Sequence, residues 1–203
     1  VRRDGSSRLT KDIRWKTFPS ASLGWRFDKE EWFPFSHDVI NMFKVRGSYG
    51  ELGNENIGEY QFQATMNRNN MTYSFGNNPI TGSAVSTFVN ENIAWEKKKT
   101  TNVGIDLAML NNRIEFTAEW YKNVSEDLLY GVPVPTNAGV ANTSVTMNAA
   151  SMENSGLEFS LTYRDKTSYG LDYNVSANLS TLKNKVTSLG FGTEQYLAGD
   201  YIT

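Results

Sequence analysis

The chain has 203 residues, the size of one domain, with no cysteine, one histidine and a formal net charge of -2. This excludes disulfides and thiolate metal sites, and it leaves no electrostatic footprint for a nucleic-acid partner. No Ser-His-Asp triad or His-paired zinc site can be built without His37. Aromatic residues reach 13 %, and Asn, Ser, Thr and Gly are abundant, a bias toward β structure with polar loops. No apolar run approaches the ~18 residues of a transmembrane helix. Both ends, at Val1 and Thr203, read as cut, so a piece of a longer protein is expected.

Taken in chain order, residues 1–9 read as the end of a strand. Period-two alternation then puts Pro19, Ala21, Leu23, Trp25 and Phe27 on one face, against Ser20, Ser22, Gly24 and Arg26. The connection from Asp28 to Met42 holds Trp32, Phe33 and Phe35, and Ser36 is placed to cap a short helix from His37 to Met42. Phe43, Val45, Gly47 and Tyr49 resume the alternation, and a long polar loop is expected over 51–93. Lys97, Lys98 and Lys99 read as a solvated strand end. Val103, Ile105 and Leu107 alternate with Asn102, Gly104 and Asp106. A turn at Leu110 to Arg113 leads into Ile114, Phe116, Ala118 and Trp120, which alternate with Glu115, Thr117 and Glu119. A second long loop is expected over 123–153. Leu157 to Arg164 and Tyr173 to Ser180 then form a hairpin around the polar segment 165–172 with Gly170. From 184 onward the chain reads as loop.

This makes about seven antiparallel strands, with short turns at one end and long loops at the other. Outer-membrane barrels sort their connections in this way. Periodic stretches of about 8–12 residues match the ~9–11 that a tilted strand needs to cross the hydrocarbon core, and aromatics cluster at strand ends, as in interfacial girdles. The expected fold is therefore all-β, an up-and-down part of a transmembrane barrel with lipid around it. Missing strands must close the barrel, because open edges are not tolerated in lipid. The rival reading is a soluble β-sandwich carbohydrate-binding module that folds alone in water. The sorted loops and odd strand count argue against it.

No catalytic set emerges. Ser180, Thr181, Leu182 and Lys183 fit S-x-x-K, but that motif should open a helix, and here it closes a strand. Glu115 and Glu119 share the polar face about 13 Å apart by strand rise, too far to act as an acid/base pair. No phosphate loop or dinucleotide fingerprint is present. Neither enzymatic activity nor a cofactor or metal is expected, which weighs against an outer-membrane lipase or protease. In loop 51–93, Tyr60, Phe62, Tyr73 and Phe75 are the candidate substrate contacts: they could stack on sugar rings or simply pack the loop.

Six stretches in order resemble the SusC/RagA-like family of TonB-dependent outer-membrane transporters. They are Arg3-Asp4-Gly5-Ser6-Ser7-Arg8, with Leu9 where the family has Phe; Phe18-Pro19-Ser20 with Gly24-Trp25-Arg26; Phe43 to Gly50 with Gly53-Asn54; Trp95-Glu96 with Asn102 to Asp106; Asn154 to Glu158; and Asn178 with Asn184-Lys185-Val186. The resemblance spans nearly the whole chain. It implies about seven strands of a barrel of roughly 22, with an N-terminal plug and an energy-coupling segment that this sequence lacks. It further implies active import of an oligosaccharide or peptide, a SusD-type surface lipoprotein as lid, and the TonB complex as the source of energy.

Overall fold

A computed structural model describes residues 1–67, 72–85, 87–140 and 143–189. In chain order the strands are β1 (Arg2–Gly5), β2 (Trp15–Phe18), β3 (Ser20–Arg26), β4 (Ile40–Asn54), β5 (Met66–Asn67), β6 (Thr72–Phe75), β7 (Asn78–Thr81), β8 (Ala84–Val85), β9 (Glu96–Met109), β10 (Ile114–Pro133), β11 (Ser144–Lys166) and β12 (Asp172–Ser188). Six of them form one sheet in the order β12-β11-β10-β9-β4-β3. All neighbours are antiparallel, so this is an up-and-down arc. Between β4 and β9, β6 and β7 form a small hairpin, and β5 pairs with β8 on either side of it in sequence.

The register turns the alternation into rows. Trp25, Val45, Ile105, Ala118, Phe159 and Leu179 are successive partners across all six strands. The next row toward the short turns holds Phe43, Leu107, Phe116, Leu161 and Ala177. The row on the other side holds Leu23, Gly47, Val103, Trp120, Leu157 and Thr181. This apolar face is left open: Leu23 is 78 % exposed and Leu179 65 %. Among the described residues the remaining sheets are two-stranded, so no second layer covers it. A β-sandwich buries such a face between two sheets, and the rival expectation therefore fails. An arc that bares an apolar face and turns a polar one inward is what a piece of a membrane barrel should be.

The short-turn end is tightly built. Leu110, Asn111 and Asn112 lie in the left-handed region at φ 52°, 56° and 62°, where Asn is tolerated because its short side chain bonds locally. Gly170, at φ 86°, reverses the chain between β11 and β12. The connection from β3 to β4 was expected to hold a helix from His37 to Met42. A 3-10 turn, Phe27–Lys29, opens the connection, and residues 37–39 form a single turn instead of the helix. The Ser36 Oγ accepts from Asp38 N–H at 3.2 Å, as a cap should, but Ile40 already pairs with Met109 as strand. The cap is real, but the ladder takes the β-branched residue that would have continued the helix.

At the other end the strands run on well past the expected loop boundaries. β10 continues to Pro133 and β11 begins at Ser144, so most of 123–153 is hairpin. β4 likewise reaches Asn54 and β12 Ser188. The first segment also departs from expectation: β1 pairs with β2 in its own small sheet rather than extending the arc. The buried core sits at this end and is small: Leu9, Phe18, Ile57, Ile93 and Trp95, with Ile13, Phe62 and Leu129 packed against it.

Candidate functional site

The polar face of the sheet is the first part of the site. Its central row is Gly24, Arg46, Gly104, Glu119, Glu158 and Ser180, again one partner per strand. Arg46 on β4 lies across β9 and donates from Nη2 to Glu119 on β10 at 2.5 Å, while its Nε donates to Asp106 Oδ2 at 3.3 Å. The crossing is possible because position 104 is glycine: a Cβ there would come within 2.9 Å of the Arg46 guanidinium carbon. One side chain thus ties three strands together. Arg164 on β11 makes a two-pronged bond to Glu115 on β10, at 2.7 and 3.0 Å, the geometry that suits guanidinium to carboxylate. The two glutamates expected to share this face do share it, and each has its own arginine. Between Glu119 and Ser180, Glu158 stands exposed.

Hydroxyls and amides fill the rest. The Thr162 and Ser176 hydroxyls are bonded at 3.0 Å, and Thr117, Ser160 and Asn178 form a row. This surface offers many weak donors and acceptors rather than one reactive group. Among the described residues no cluster of three or more His, Cys, Asp or Glu side chains is arranged to hold a metal ion. The S-x-x-K stretch, Ser180 to Lys183, lies within β12, so its Ser and Lys are not arranged as on a helix. His37 is a structural residue: its Nε2 donates to the Asp28 carbonyl at 2.7 Å.

The long-loop end is the second part. Phe18 meets Trp95 edge to face, with centroids 5.8 Å apart, and Trp95 Nε1 donates to the Arg14 carbonyl. Asn148 on β11 fastens the segment before β9. Its Oδ1 accepts from Ala94 N–H at 2.8 Å, and its Nδ2 donates to the carbonyls of Ala94 and Asp127 at 2.9 and 2.8 Å. Lys97 and Lys99 of the basic run pair with Asp127 and Glu126, so the run is a strand end knitted to its neighbour.

The four loop aromatics divide into two pairs. Tyr60 and Phe62 have ring centroids 6.4 Å apart, and Phe62 packs on the buried core while Tyr60 remains exposed. Tyr73 and Phe75 stand two residues apart on β6 and so share one face. Both are exposed, on a hairpin turned at Gly76 and Asn77 with positive φ at each. Reasoning from sequence alone missed the Arg46 clasp and the Asn148 clamp. For Arg46, the available signal was a glycine at position 104 in an otherwise regular strand.

Comparison with known proteins matches this architecture. The family model described as TonB dependent receptor-like, beta-barrel, matches residues 1–201. The chain is 37 % identical to the TonB-dependent receptor SusC of Bacteroides thetaiotaomicron over 209 residues, covering all of this chain and 20 % of that protein. It is 34 % identical to TonB-dependent receptor P3 of Formosa agariphila, over 97 % of this chain and 19 % of that one. Among solved structures, the RagAB peptide importer in its closed-closed state superposes with a TM-score of 0.80 at 29 % identity, over 96 % of this chain and 20 % of the matched one. The chain therefore spans about one fifth of the length of the relatives it matches. Two-faced sheet, sorted loops and full-length family match agree: this chain belongs to the TonB-dependent receptor β-barrel family.

Proposed function

We propose that this chain is part of the wall of an outer-membrane transporter that imports a nutrient, an oligosaccharide or a peptide, by TonB-driven active transport. The observation that carries this reading is the six-stranded arc with one apolar face and one hydrogen-bonding face. The apolar face meets lipid, and the polar face lines a water-filled lumen. The long-loop end lies outside the cell and the short turns lie in the periplasm. The parent protein supplies the strands that close the barrel, an N-terminal plug and the segment that engages TonB. A SusD-type lipoprotein covers the outer mouth. The work done is translocation, so no bond of the cargo is broken.

Cargo meets the protein where lumen and outer loops join. The exposed rings of Tyr60, Tyr73 and Phe75 support stacking against sugar, and we assign Phe62 to holding Tyr60 in place. The dense hydrogen-bonding wall and the likeness to a peptide importer support peptide equally. One experiment tests both the activity and the cargo. Uptake of labelled oligosaccharides and of labelled peptides is measured in the host, with the parent gene intact, with it deleted, and with the proton-motive force collapsed. Uptake of one class that falls to background in both perturbed cells is expected. If uptake of both classes is unchanged by the deletion, the transport reading is wrong.

A further inference from the structure

The outward face does not stay apolar over the whole height of the sheet. Above the row of Val103, Trp120, Leu157 and Thr181, the next row of partners is Ala21, Tyr49, Thr101, Lys122, Ser155 and Lys183. The row after that brings Glu51, Lys99, Val124, Glu153 and Lys185. Each step is two residues, about 7 Å along the strand. Hydrocarbon-facing side chains therefore give way to lysine within one step, and on β10 to β12 lysine prevails. Lys122 is bridged to Glu153 at 3.0 Å. Lys183 and Lys185 are exposed, and no ion pair joins either to a carboxylate among the described residues. Their alkyl stems lie level with the edge of the apolar band, so the ammonium groups reach to headgroup height, the placement long cationic side chains adopt at interfaces.

We propose that Lys122, Lys183 and Lys185 form a binding site for the anionic headgroup of an outer-leaflet lipid. The occupant follows from charge and position together. These cations face lipid rather than lumen, at the long-loop end, directly above Trp120 and Leu157, whose side chains would flank the acyl chains. Clustered lysines at a membrane surface bind anionic lipid with a gain for each lysine. The unpaired Lys183 and Lys185 supply the net charge, and Lys122 is positioned by Glu153. This goes beyond cargo import but rests on the membrane embedding proposed above.

The test uses the full-length parent transporter in phosphatidylcholine vesicles containing phosphatidic acid, with a benzophenone photocrosslinker in place of Thr181. The readout is the ratio of crosslinked phosphatidic acid to crosslinked phosphatidylcholine, each relative to its abundance. The ratio should exceed unity and fall about fivefold for each lysine replaced in Lys183→Gln/Lys185→Gln, while Lys183→Arg/Lys185→Arg retains it. In wild type it should collapse at 1 M salt, where the screening length is ~3 Å. A ratio unchanged by the Gln substitutions or by salt overturns the site, and the salt arm does so even if the Gln variant fails to assemble. Absence of crosslinks to either lipid would instead overturn the embedding of this face, and the site with it.

Discussion

Asp28 is a fully buried carboxylate in the connection between β3 and β4. It accepts from Arg26 Nε and Nη2 at 3.1 and 2.6 Å and from Phe43 N–H at 3.1 Å. It thereby joins the last residue of one strand to the fourth residue of the next, while His37 holds its carbonyl. The Arg26 hydrogen bonds, partly offset by burial, hold its carboxyl below the ordinary carboxylate range. A lowered folded-state value means that the ionised form stabilises the fold. That contribution is complete above the unfolded value of about 3.9 and is lost as pH falls through the folded value. Asp28→Asn keeps the shape and removes the charge. It is expected to lower the stability of the detergent-folded parent barrel at pH 7 by about 1–3 kcal/mol. The gap from wild type should narrow as pH drops below about 3.9 and close once Asp28 itself is protonated. Urea midpoints of both proteins across that range check it, and a gap that stays constant with pH would show that the charge does no work there.

At the scale of elements, the hairpin of β10 and β11 does two jobs along its length. Its short-turn half carries the apolar rows of the arc, and its long-loop half fastens the segment before β9 through Asn148. Replacing Asn148 with Ala leaves Ala94 N–H and two carbonyls without their partner. It should cost about 1–3 kcal/mol locally. Amide exchange should speed up at Ala94 and in the segment around Trp95, while the amides of Ile105 and Phe159 keep their protection. Exchange that rises equally in both regions would mean that the clamp holds the whole sheet.

The same division explains what was legible beforehand. Leu157 to Arg164 and Tyr173 to Ser180 alternate cleanly because successive residues fall on the apolar and the polar face of the arc, and the turns around Asn111 and Gly170 follow from local chemistry. Above Leu157 the outward face itself turns polar, with Ser155 and Lys183 in one row and Glu153 and Lys185 in the next. Ser151 to Asn154 therefore show no alternation, although the ladder continues through them. The strand in residues 1–9 was readable, but the packing of residues 1–18 was hidden for a different reason. Leu9 and Phe18 find Ile57, Ile93 and Trp95 at long range, and no local period encodes such contacts. The polar wall was readable as a list of residues, but the Arg46 clasp depends on a register spanning 73 positions.

For the molecule as a whole, the controlling feature is which face of the arc meets which solvent. Ile105 and Asp106 are adjacent in β9, yet Ile105 lies in the central apolar row while Asp106 pairs with Arg46 on the polar face. A membrane barrel must punish a charge at the first position and tolerate one on the second face. Ile105→Arg places a guanidinium at mid-height of the lipid-facing band, where lipid-face charges cost about 2–4 kcal/mol. Ser176→Arg adds the same charge to the lumen wall on β12, where Ser176 faces Thr162. There it remains in water and has Glu158 on the same polar face. The parent protein folded into lipid vesicles should therefore lose about 2–4 kcal/mol with Ile105→Arg and far less with Ser176→Arg. Equal losses for the two variants, measured as the shift in denaturant midpoint from vesicles, would mean that the apolar rows do not meet lipid. The membrane reading of the fold would then have to be abandoned together with the transport built on it.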